Sequence, residues 1–218
     1  MIRIILFLLS ISFFSCENGT PTELGSRVEH LPYYDEATFT PHWFENDSDS
    51  LTSFHRIPEF DLVNQNGDAV SETTFDKHIY VTDFFFTTCP GICPKMTANM
   101  SILQEEFLTD NEVLLLSHSV TPTRDTVEQL KRYAKNKGVN SEKWHLVTGE
   151  RAVIYNLGRY QYFVEEDLGL EADPDEFLHT ENFVLVDKQR HIRGIYNGLN
   201  KSSIKQLITD IKTLKLEG

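Results

Sequence analysis

The hydrophobic residues of this chain follow two different periods, which separate predicted strands from predicted helices. Residues 79–86 and 113–116 form apolar runs, as in strands that are covered on both faces of a sheet. After each run, apolar residues recur at the spacing of a helix with one buried face. The pattern predicts helices over 94–108, 125–137, 151–162 and 204–214, further strands over 144–147, 183–186 and 192–196, and a hairpin that turns at Asn66 and Gly67.

Two cysteines stand between the first apolar run and the first predicted helix. Cys89 and Cys93 lie in the sequence Phe86-Thr-Thr-Cys-Pro-Gly-Ile-Cys-Pro94, and Pro94 is typical of the first turn of a helix. Two thiols one turn apart at a helix N-terminus can meet at one point, and the N–H groups there favour the thiolate. Such a pair can close a disulfide, transfer electrons or hold a soft metal ion. A ring this small adds little stability as a disulfide, so we interpret the pair as a functional site.

The order of the predicted elements is hairpin, strand, helix, strand, helix, hairpin, helix. Strands that alternate with helices predict a parallel portion of a sheet, to which a hairpin adds antiparallel strands. A cysteine pair that leaves the first central strand and enters the first helix fits a thioredoxin-like fold. We therefore predict an α/β protein with a central mixed sheet flanked by helices and an added N-terminal β-hairpin.

The N-terminal residues have the features of an export signal. Arg3 precedes an apolar stretch over 4–14, which is shorter than the roughly 20 residues that a membrane-spanning helix needs. Ser15 and Cys16 follow, and a small residue before cysteine resembles a bacterial lipoprotein signal. This predicts a signal peptide over 1–15, lipid on Cys16, and a membrane-anchored lipoprotein of the bacterial cell envelope that faces the periplasm. The alternative is an ordinary signal peptide with a cysteine by chance.

The remaining chain divides into a polar segment and one domain. Residues 16–53 are rich in acidic residues, Ser, Thr and Pro, which indicates a lipid-anchored tether, and its aromatic residues suggest that one part packs on the domain. Residues 54–218 are long enough for one well-filled domain. The formal net charge of −13 argues against nucleic acid as a partner and against attachment to anionic lipid by charge.

Four segments between residues 86 and 187 share the sequence pattern of one family. Residues 86–94 are similar to its aromatic-x-x-Cys-Pro-x-x-Cys-Pro, and Ser119-Val-Thr-Pro-Thr-Arg-Asp-Thr126 to its Ser-Val-Asp-Pro-x-x-Asp-Thr. Trp144-His-Leu-Val-Thr-Gly149 and His179-Thr-Glu-Asn-Phe-Val-Leu-Val-Asp187 are similar to its Trp-x-x-Leu-Thr-Gly and His-Ser-x-x-x-Tyr-Leu-Ile-Asp. In this order the segments resemble the Sco/SenC family, membrane-tethered thioredoxin-like proteins that carry copper for cytochrome c oxidase assembly.

The resemblance implies a copper site in residues 54–218. The metal ligands of the family fall on Cys89, Cys93 and His179, and Asp125 matches the second acidic residue of the Ser-Val motif, so it is a candidate for tuning the metal. Two thiolates and one imidazole form a soft set that suits Cu(I), and a similar set also holds Cu(II). Asp125 has an alternative role as a helix cap, for which Asp is a preferred residue.

The chain departs from the family pattern at three positions. Thr121 stands where the family has Asp, Leu178 stands where an acidic residue often precedes the ligand histidine, and His118 is additional. These departures keep the ligands but change the residues around them. We interpret His118 and His145 as structural or solvated, and the methionine stripe of the first helix, Met96 and Met100, as core rather than copper ligands.

Two functions remain open. A copper metallochaperone would deliver copper to the copper-binding subunit of cytochrome c oxidase, or exchange it with another copper chaperone. A thiol–disulfide reductase would keep the copper-ligand cysteines of an oxidase subunit or another exported protein reduced, and it needs only the two thiols. A peroxidase is disfavoured, because Phe86 stands where such an enzyme has threonine. We predict the metallochaperone, with a Cys89–Cys93 disulfide when the metal-free protein is exposed to air.

Overall fold

The computed structural model of this chain describes residue 26 and residues 28–44, 48–165, 178 and 180–217. The predicted signal peptide, Cys16 and His179 lie outside the described residues. The strands are β1 (Asp61–Asn64), β2 (Ala69–Ser71), β3 (Ile79–Phe85), β4 (Val113–Ser119), β5 (Trp144–Thr148), β6 (Asn182–Val186) and β7 (Ile192–Asn197). The helices are α1 (Cys93–Glu106), α2 (Val127–Lys137), α3 (Arg151–Asn156) and α4 (Lys201–Glu217).

The strands form one mixed sheet in the order β2-β1-β5-β4-β3-β6-β7. β4 lies between β3 and β5 and is parallel to both, whereas β1 and β6 run antiparallel to their central neighbours. Every residue of β3 and β4 is buried, because hydrophobic side chains cover both faces in the middle of the sheet. The mixed sheet is therefore confirmed. The carboxyl ends of β3, β4 and β5 lie at one edge of it, which we call the site edge.

The predicted N-terminal hairpin is formed by β1 and β2. Gly67 has φ +87°, a left-handed conformation that glycine reaches without a steric cost. The side-chain oxygen of Asn64 accepts the N–H groups of Asn66 and Asp68 at 2.8 and 3.0 Å, which holds the turn closed. β1 then pairs with β5, so the hairpin extends the sheet at its outer side.

Two hydrophobic cores lie on opposite faces of the sheet. The first is built by α1, α2 and α4, and it contains Met96 and Met100, neither of which has exposed surface. Their burial confirms that the methionine stripe packs the core. The second core lies under α3 and the hairpin and is rich in aromatic residues, among them Tyr80, Phe84 and Tyr162.

The predicted helix over 151–162 is shorter than expected. Regular α-helix ends at Asn156, and a wider turn follows over Leu157–Gln161, in which the N–H of Tyr162 donates to the carbonyl of Leu157 at 2.8 Å. Gly158 lies within this turn, and a side chain there would come within 3.0 Å of Phe84 and of Leu178. No helix among the described residues is long and apolar enough to cross a membrane.

Part of the predicted tether packs on the domain. Leu31 and Tyr33 are buried, whereas Trp43 is exposed. Arg193 on β7 donates to the carbonyl of Leu31 at 2.7 Å, forms an ion pair with Glu217 at 2.5 Å, and lies over the Tyr33 ring at 3.9 Å. The aromatic part of this segment thus contacts the domain, while the domain boundary at residue 54 stays a prediction.

Candidate metal centre

Cys89 and Cys93 lie on the loop of residues 86–92 and at its junction with α1. The loop, which we call the cysteine loop, leaves β3 at the site edge, and the N–H of Cys89 donates to the carbonyl of Phe86 at 3.3 Å. Cys93 is the first residue of α1 and is 4% exposed, whereas Cys89 is half-buried. Both cysteines are free thiols in the structure, so their disulfide stays a prediction.

The two thiols have opposite pKa shifts. Partial burial raises the pKa of Cys89, but hydrogen bonds from the Cys93 thiol and from the N–H groups of Cys93, Gly91 and Ile92 outweigh burial, so the pKa of Cys89 lies below its usual value. Burial raises the pKa of Cys93 to about 12, and the hydrogen bond to Cys89 adds to that rise. As the pH rises, Cys89 is therefore the first thiol of the pair to ionise, and burial keeps Cys93 protonated.

Asp125 does not cap α2. The cap is Thr126, whose hydroxyl accepts the N–H of Gln129 at 3.4 Å. The helix-cap alternative for Asp125 is therefore wrong. Asp125 precedes the cap by one residue and has no exposed surface, which places its carboxylate inside the fold at the site edge.

The carboxylate of Asp125 joins the end of β4 to the cysteine loop. It accepts the N–H and the hydroxyl of Thr87 at 3.1 and 2.5 Å, and the hydroxyls of Ser119 and Thr121 at 2.6 and 3.1 Å. A buried carboxylate with four donors is well satisfied. Thr121, which replaces an acidic residue of the family pattern, supplies one of those donors. The role of Asp125 beside a metal ion stays a prediction.

The residues on both sides of His179 lie at the site edge. β6 runs antiparallel to β3, so it begins where β3 ends. Leu178 is 2% exposed and belongs to the second core with Phe84, and the hydroxyl of Thr180 accepts the N–H of Asn182 at 3.0 Å. Leu178 is thus an apolar anchor where the family pattern has an acidic residue. His179 itself is outside the described residues, and its role as a ligand stays a prediction.

The histidines at the other strand ends are packed in the fold. The ring of His118 has no exposed surface and stacks on Phe84 at 4.7 Å, and His145 is half-buried with its Nδ1 at 3.5 Å from Asn64. Both positions fit the structural interpretation. Among the residues that the structure describes, no three Cys, His, Asp or Glu side chains are grouped to hold a metal ion.

The sequence comparison with known families identifies the chain. A sequence model described as SCO1/SenC matches residues 49–215, which include the cysteine loop and all seven strands. The chain belongs to the SCO1/SenC family. This confirms the resemblance that the four segments indicate, and family membership extends it beyond them to the hairpin and α4.

Two relatives show the extent of the likeness within the family. The SCO1 protein homolog of Bacillus subtilis (strain 168) is 30% identical over 163 residues, which cover 73% of this chain and 82% of that protein. A protein of Stutzerimonas stutzeri that is described as copper-binding is 37% identical over 79 residues, which cover 35% of this chain and 39% of that protein.

Solved structures of family members share the fold. A SCO1/SenC family lipoprotein from Bacillus anthracis has a TM-score of 0.65 at 27% identity and covers 74% of this chain and 95% of its own. BsSco, a member of the Sco family of cytochrome c oxidase assembly proteins in which a disulfide switch was identified, has a TM-score of 0.62 at 28% identity and covers 73% and 93%. The thioredoxin-like fold is therefore confirmed.

The sequence interpretation missed a buried acid on β3, the strand that leads into the cysteine loop. Asp83, in the middle of β3, is 2% exposed and accepts a hydrogen bond from the Ser117 hydroxyl. Burial raises the pKa of Asp83 to about 7, and the hydrogen bond from Ser117 offsets part of that rise. A charged residue within the apolar run over 79–86 was the available signal. Thr87 and Gln129 were also missed, because nothing local distinguishes them from ordinary polar residues.

Proposed function

We propose that this chain is a copper metallochaperone. Cys89, Cys93 and His179 hold copper as cargo, and the protein delivers it during the assembly of a respiratory cytochrome c oxidase. The partner is the copper-binding subunit of the oxidase or another copper chaperone. The observation that carries this proposal is the pair of thiols at the start of α1, at the same edge of the sheet at which β6 begins.

The donor chemistry of the pair suits copper. The N–H groups of Gly91, Ile92 and Cys93 stabilise negative charge on Cys89 and so lower its pKa. Soft thiolates favour Cu(I), and Cys93 gives up its proton when copper takes its place at the sulfur. The imidazole of His179 completes a three-ligand set, because β6 begins at the edge where the cysteine loop lies.

Family members support the same conclusion. The Stutzerimonas stutzeri relative is described as copper-binding, and BsSco belongs to a family of cytochrome c oxidase assembly proteins. A metallochaperone needs a site that can release its cargo, and two sulfurs at a surface loop with one half-buried thiol meet that need.

The second candidate function is a thiol–disulfide reductase. The unequal thiols favour it, because Cys89, the thiol with the lower pKa, attacks a disulfide and Cys93 then resolves the mixed disulfide. The disulfide switch of BsSco points in the same direction. In this function the chain would keep the copper-ligand cysteines of an exported protein reduced, and His179 would be dispensable.

Substitution of His179 separates the two functions. We expect His179→Ala to lower Cu(I) affinity by more than the roughly 10–100-fold that residues around metal ligands contribute, as Cys89→Ser also should. The measurement is an anaerobic Cu(I) titration of the reduced chain against a competing chelator. Disulfide exchange by His179→Ala should remain at the wild-type rate, because it requires only thiols.

The exposed histidine His30 provides the matched control. His30→Ala should bind Cu(I) as the wild type does. In cells, His179→Ala should impair oxidase activity about as severely as Cys89→Ser. Normal oxidase activity with His179→Ala and none with Cys89→Ser would reject the copper carrier and leave the reductase.

The membrane anchor is tested by the mature N-terminus. We propose that the chain is exported and held in the cell envelope, facing the periplasm, by lipid on Cys16, as the Bacillus anthracis relative is a lipoprotein. Mass spectrometry of the mature protein should find a lipid-modified Cys16 as the first residue, and Cys16→Ser should release the protein from membranes. An unmodified N-terminus at another residue, with wild-type protein in the soluble fraction, would contradict the anchor.

A further inference from the structure

Thr87 connects the cysteine loop to the rest of the fold. It lies two residues before Cys89, and its hydroxyl has two partners on another part of the chain. The hydroxyl donates to the carboxylate of Asp125 at 2.5 Å and accepts a hydrogen bond from the side-chain amide of Gln129 at 2.9 Å. The backbone N–H of Thr87 donates to the same carboxylate at 3.1 Å. Both its backbone and its side chain are therefore held.

The partners of Thr87 stand on rigid elements. Asp125 has no exposed surface and is fixed by two further hydroxyl donors at the end of β4. Gln129 lies in the first turn of α2, which Thr126 caps. Hydrogen bonds to a buried carboxylate are stronger than those between neutral groups. The contacts of Thr87 therefore tie the cysteine loop to β4 and α2.

The position of Cys89 depends on this connection. The N–H groups of Gly91 and Ile92 and the Cys93 thiol lower the pKa of Cys89, and they do so only while the cysteine loop keeps its shape. Between β3 and α1 the backbone of the loop makes a tight turn, in which the N–H of Cys89 reaches the carbonyl of Phe86 at the long distance of 3.3 Å. The stronger bonds of Thr87 hold the loop immediately before that turn.

We propose that Thr87 is a positioning residue for the thiol pair, which it holds ready for copper through Asp125 and Gln129. The inference rests on the proposed function as far as copper is concerned and deepens it. A cysteine loop that is already ordered in the metal-free protein loses less conformational entropy when the metal binds, so binding is more favourable. If Thr87 had only a structural role, it would do no more than donate hydrogen bonds to the buried carboxylate of Asp125.

A pair of variants distinguishes a residue that positions the thiol pair from one that only donates a hydrogen bond to the Asp125 carboxylate. Thr87→Val and Thr121→Val each remove one hydroxyl donor to Asp125, but only Thr87 belongs to the cysteine loop. We expect Thr87→Val to lower Cu(I) affinity about 10-fold and to slow the alkylation of Cys89 by iodoacetamide several-fold. Thr121→Val should stay close to the wild type in both, because the Ser119 hydroxyl still holds Asp125 at 2.6 Å, and Thr87→Ser should restore both.

The measurements use the reduced full chain. Gln129→Met, a change on a half-buried helix face, removes the second partner of Thr87 and should shift both readouts in the same direction, which keeps the test valid if Thr87→Val does not fold. Equal effects of Thr87→Val and Thr121→Val on alkylation and on copper would overturn the proposal. Slow alkylation in Thr87→Val, together with a wild type that binds no Cu(I), would support positioning and reject the copper carrier.

Discussion

Lowering the pH from 7 to 3 is expected to cost this protein about 4 kcal/mol of folding free energy through His118 alone. Burial lowers the pKa of His118 from 6.5 to about 3, because the ring has no exposed surface. Between pH 6.5 and pH 3, His118 is protonated in the unfolded chain but stays neutral in the folded protein. The stability is thus present above pH 6.5 and is lost as the pH falls towards 3, and the pKa difference corresponds to about 5 kcal/mol.

The groups around His118 offset this charge only in part, because a backbone hydrogen bond to Asp83 raises the pKa of the ring but burial outweighs it. Its Nδ1 lies 3.1 Å from the Thr82 hydroxyl, its ring stacks on Phe84, and Tyr162 lies beside it with a raised pKa, so no carboxylate contacts it among these neighbours. Within the described part of the chain, Nε2 of His118 has no hydrogen-bond partner. Protonation would therefore leave a buried charge that one backbone hydrogen bond does not fully offset.

Urea unfolding of wild type and His118→Gln at a series of pH values tests this expectation. The variant is less stable at pH 7, because it loses the stacked ring, but between pH 7 and pH 3 it should lose about 4 kcal/mol less than the wild type. His30→Gln, a change at an exposed histidine, should follow the wild-type curve. Parallel curves for wild type and His118→Gln would show that His118 does not cause the acid sensitivity.

Asp83 is expected to act in the opposite direction and to make the reduced, metal-free protein less stable as the pH rises. Its pKa is raised from 3.8 to about 7 in the folded state. Between these values the unfolded chain is ionised and the folded site is still protonated. The stability from protonated Asp83 is complete below pH 3.8 and is lost as the pH passes through 7, a difference of about 4 kcal/mol.

The neighbours of Asp83 keep their protons across this range. Ser117 donates a hydrogen bond from β4, and the Cys93 thiol and the Tyr133 phenol, which interact with Asp83 from α1 and α2, both have pKa values raised to about 12. None of these three neighbours therefore changes its charge while Asp83 titrates between pH 4 and pH 8.

Asp83→Asn removes the titration but keeps an oxygen that accepts the hydrogen bond from Ser117. Relative to wild type, the variant should gain about 4 kcal/mol of stability between pH 4 and pH 8, measured by urea unfolding under a reducing agent. Glu105→Gln changes an exposed carboxylate on α1 and should leave the pH dependence unaltered. A constant difference between Asp83→Asn and wild type over this range would contradict the raised pKa.

Local sequence patterns predicted most of the fold. The apolar runs over 79–86 and 113–116 became β3 and β4, and every residue in them is buried, because strands in the middle of a covered sheet need apolar side chains on both faces. The turn at Gly67 and the end of α2 at Gly138 were predictable because few other residues adopt a positive φ. The position of the cysteine pair followed from the same local logic of strand, loop and proline.

The wider turn after α3 was not predictable from periodicity. The apolar spacing over 151–162 continues through Leu157 and Tyr162, as it would in a regular helix. Phe84 and Leu178 belong to other elements of the second core and lie close to Gly158. Their packing there determines the path of the backbone over Leu157–Gln161. Packing between distant segments overrides the local preference of a short helix.

The sequence by itself determined which residues carry thiols, where they stand relative to β3 and α1, and the family to which the chain belongs. Only the tertiary structure decided that Asp125 binds Thr87 rather than the N-terminus of α2, and that Cys89 and Cys93 have opposite pKa shifts. Periodicity reports which side of an element faces its own core. Hydrogen-bond partners and pKa values depend on burial and on groups that other elements bring close, and the spacing of residues along the chain contains no record of those distances.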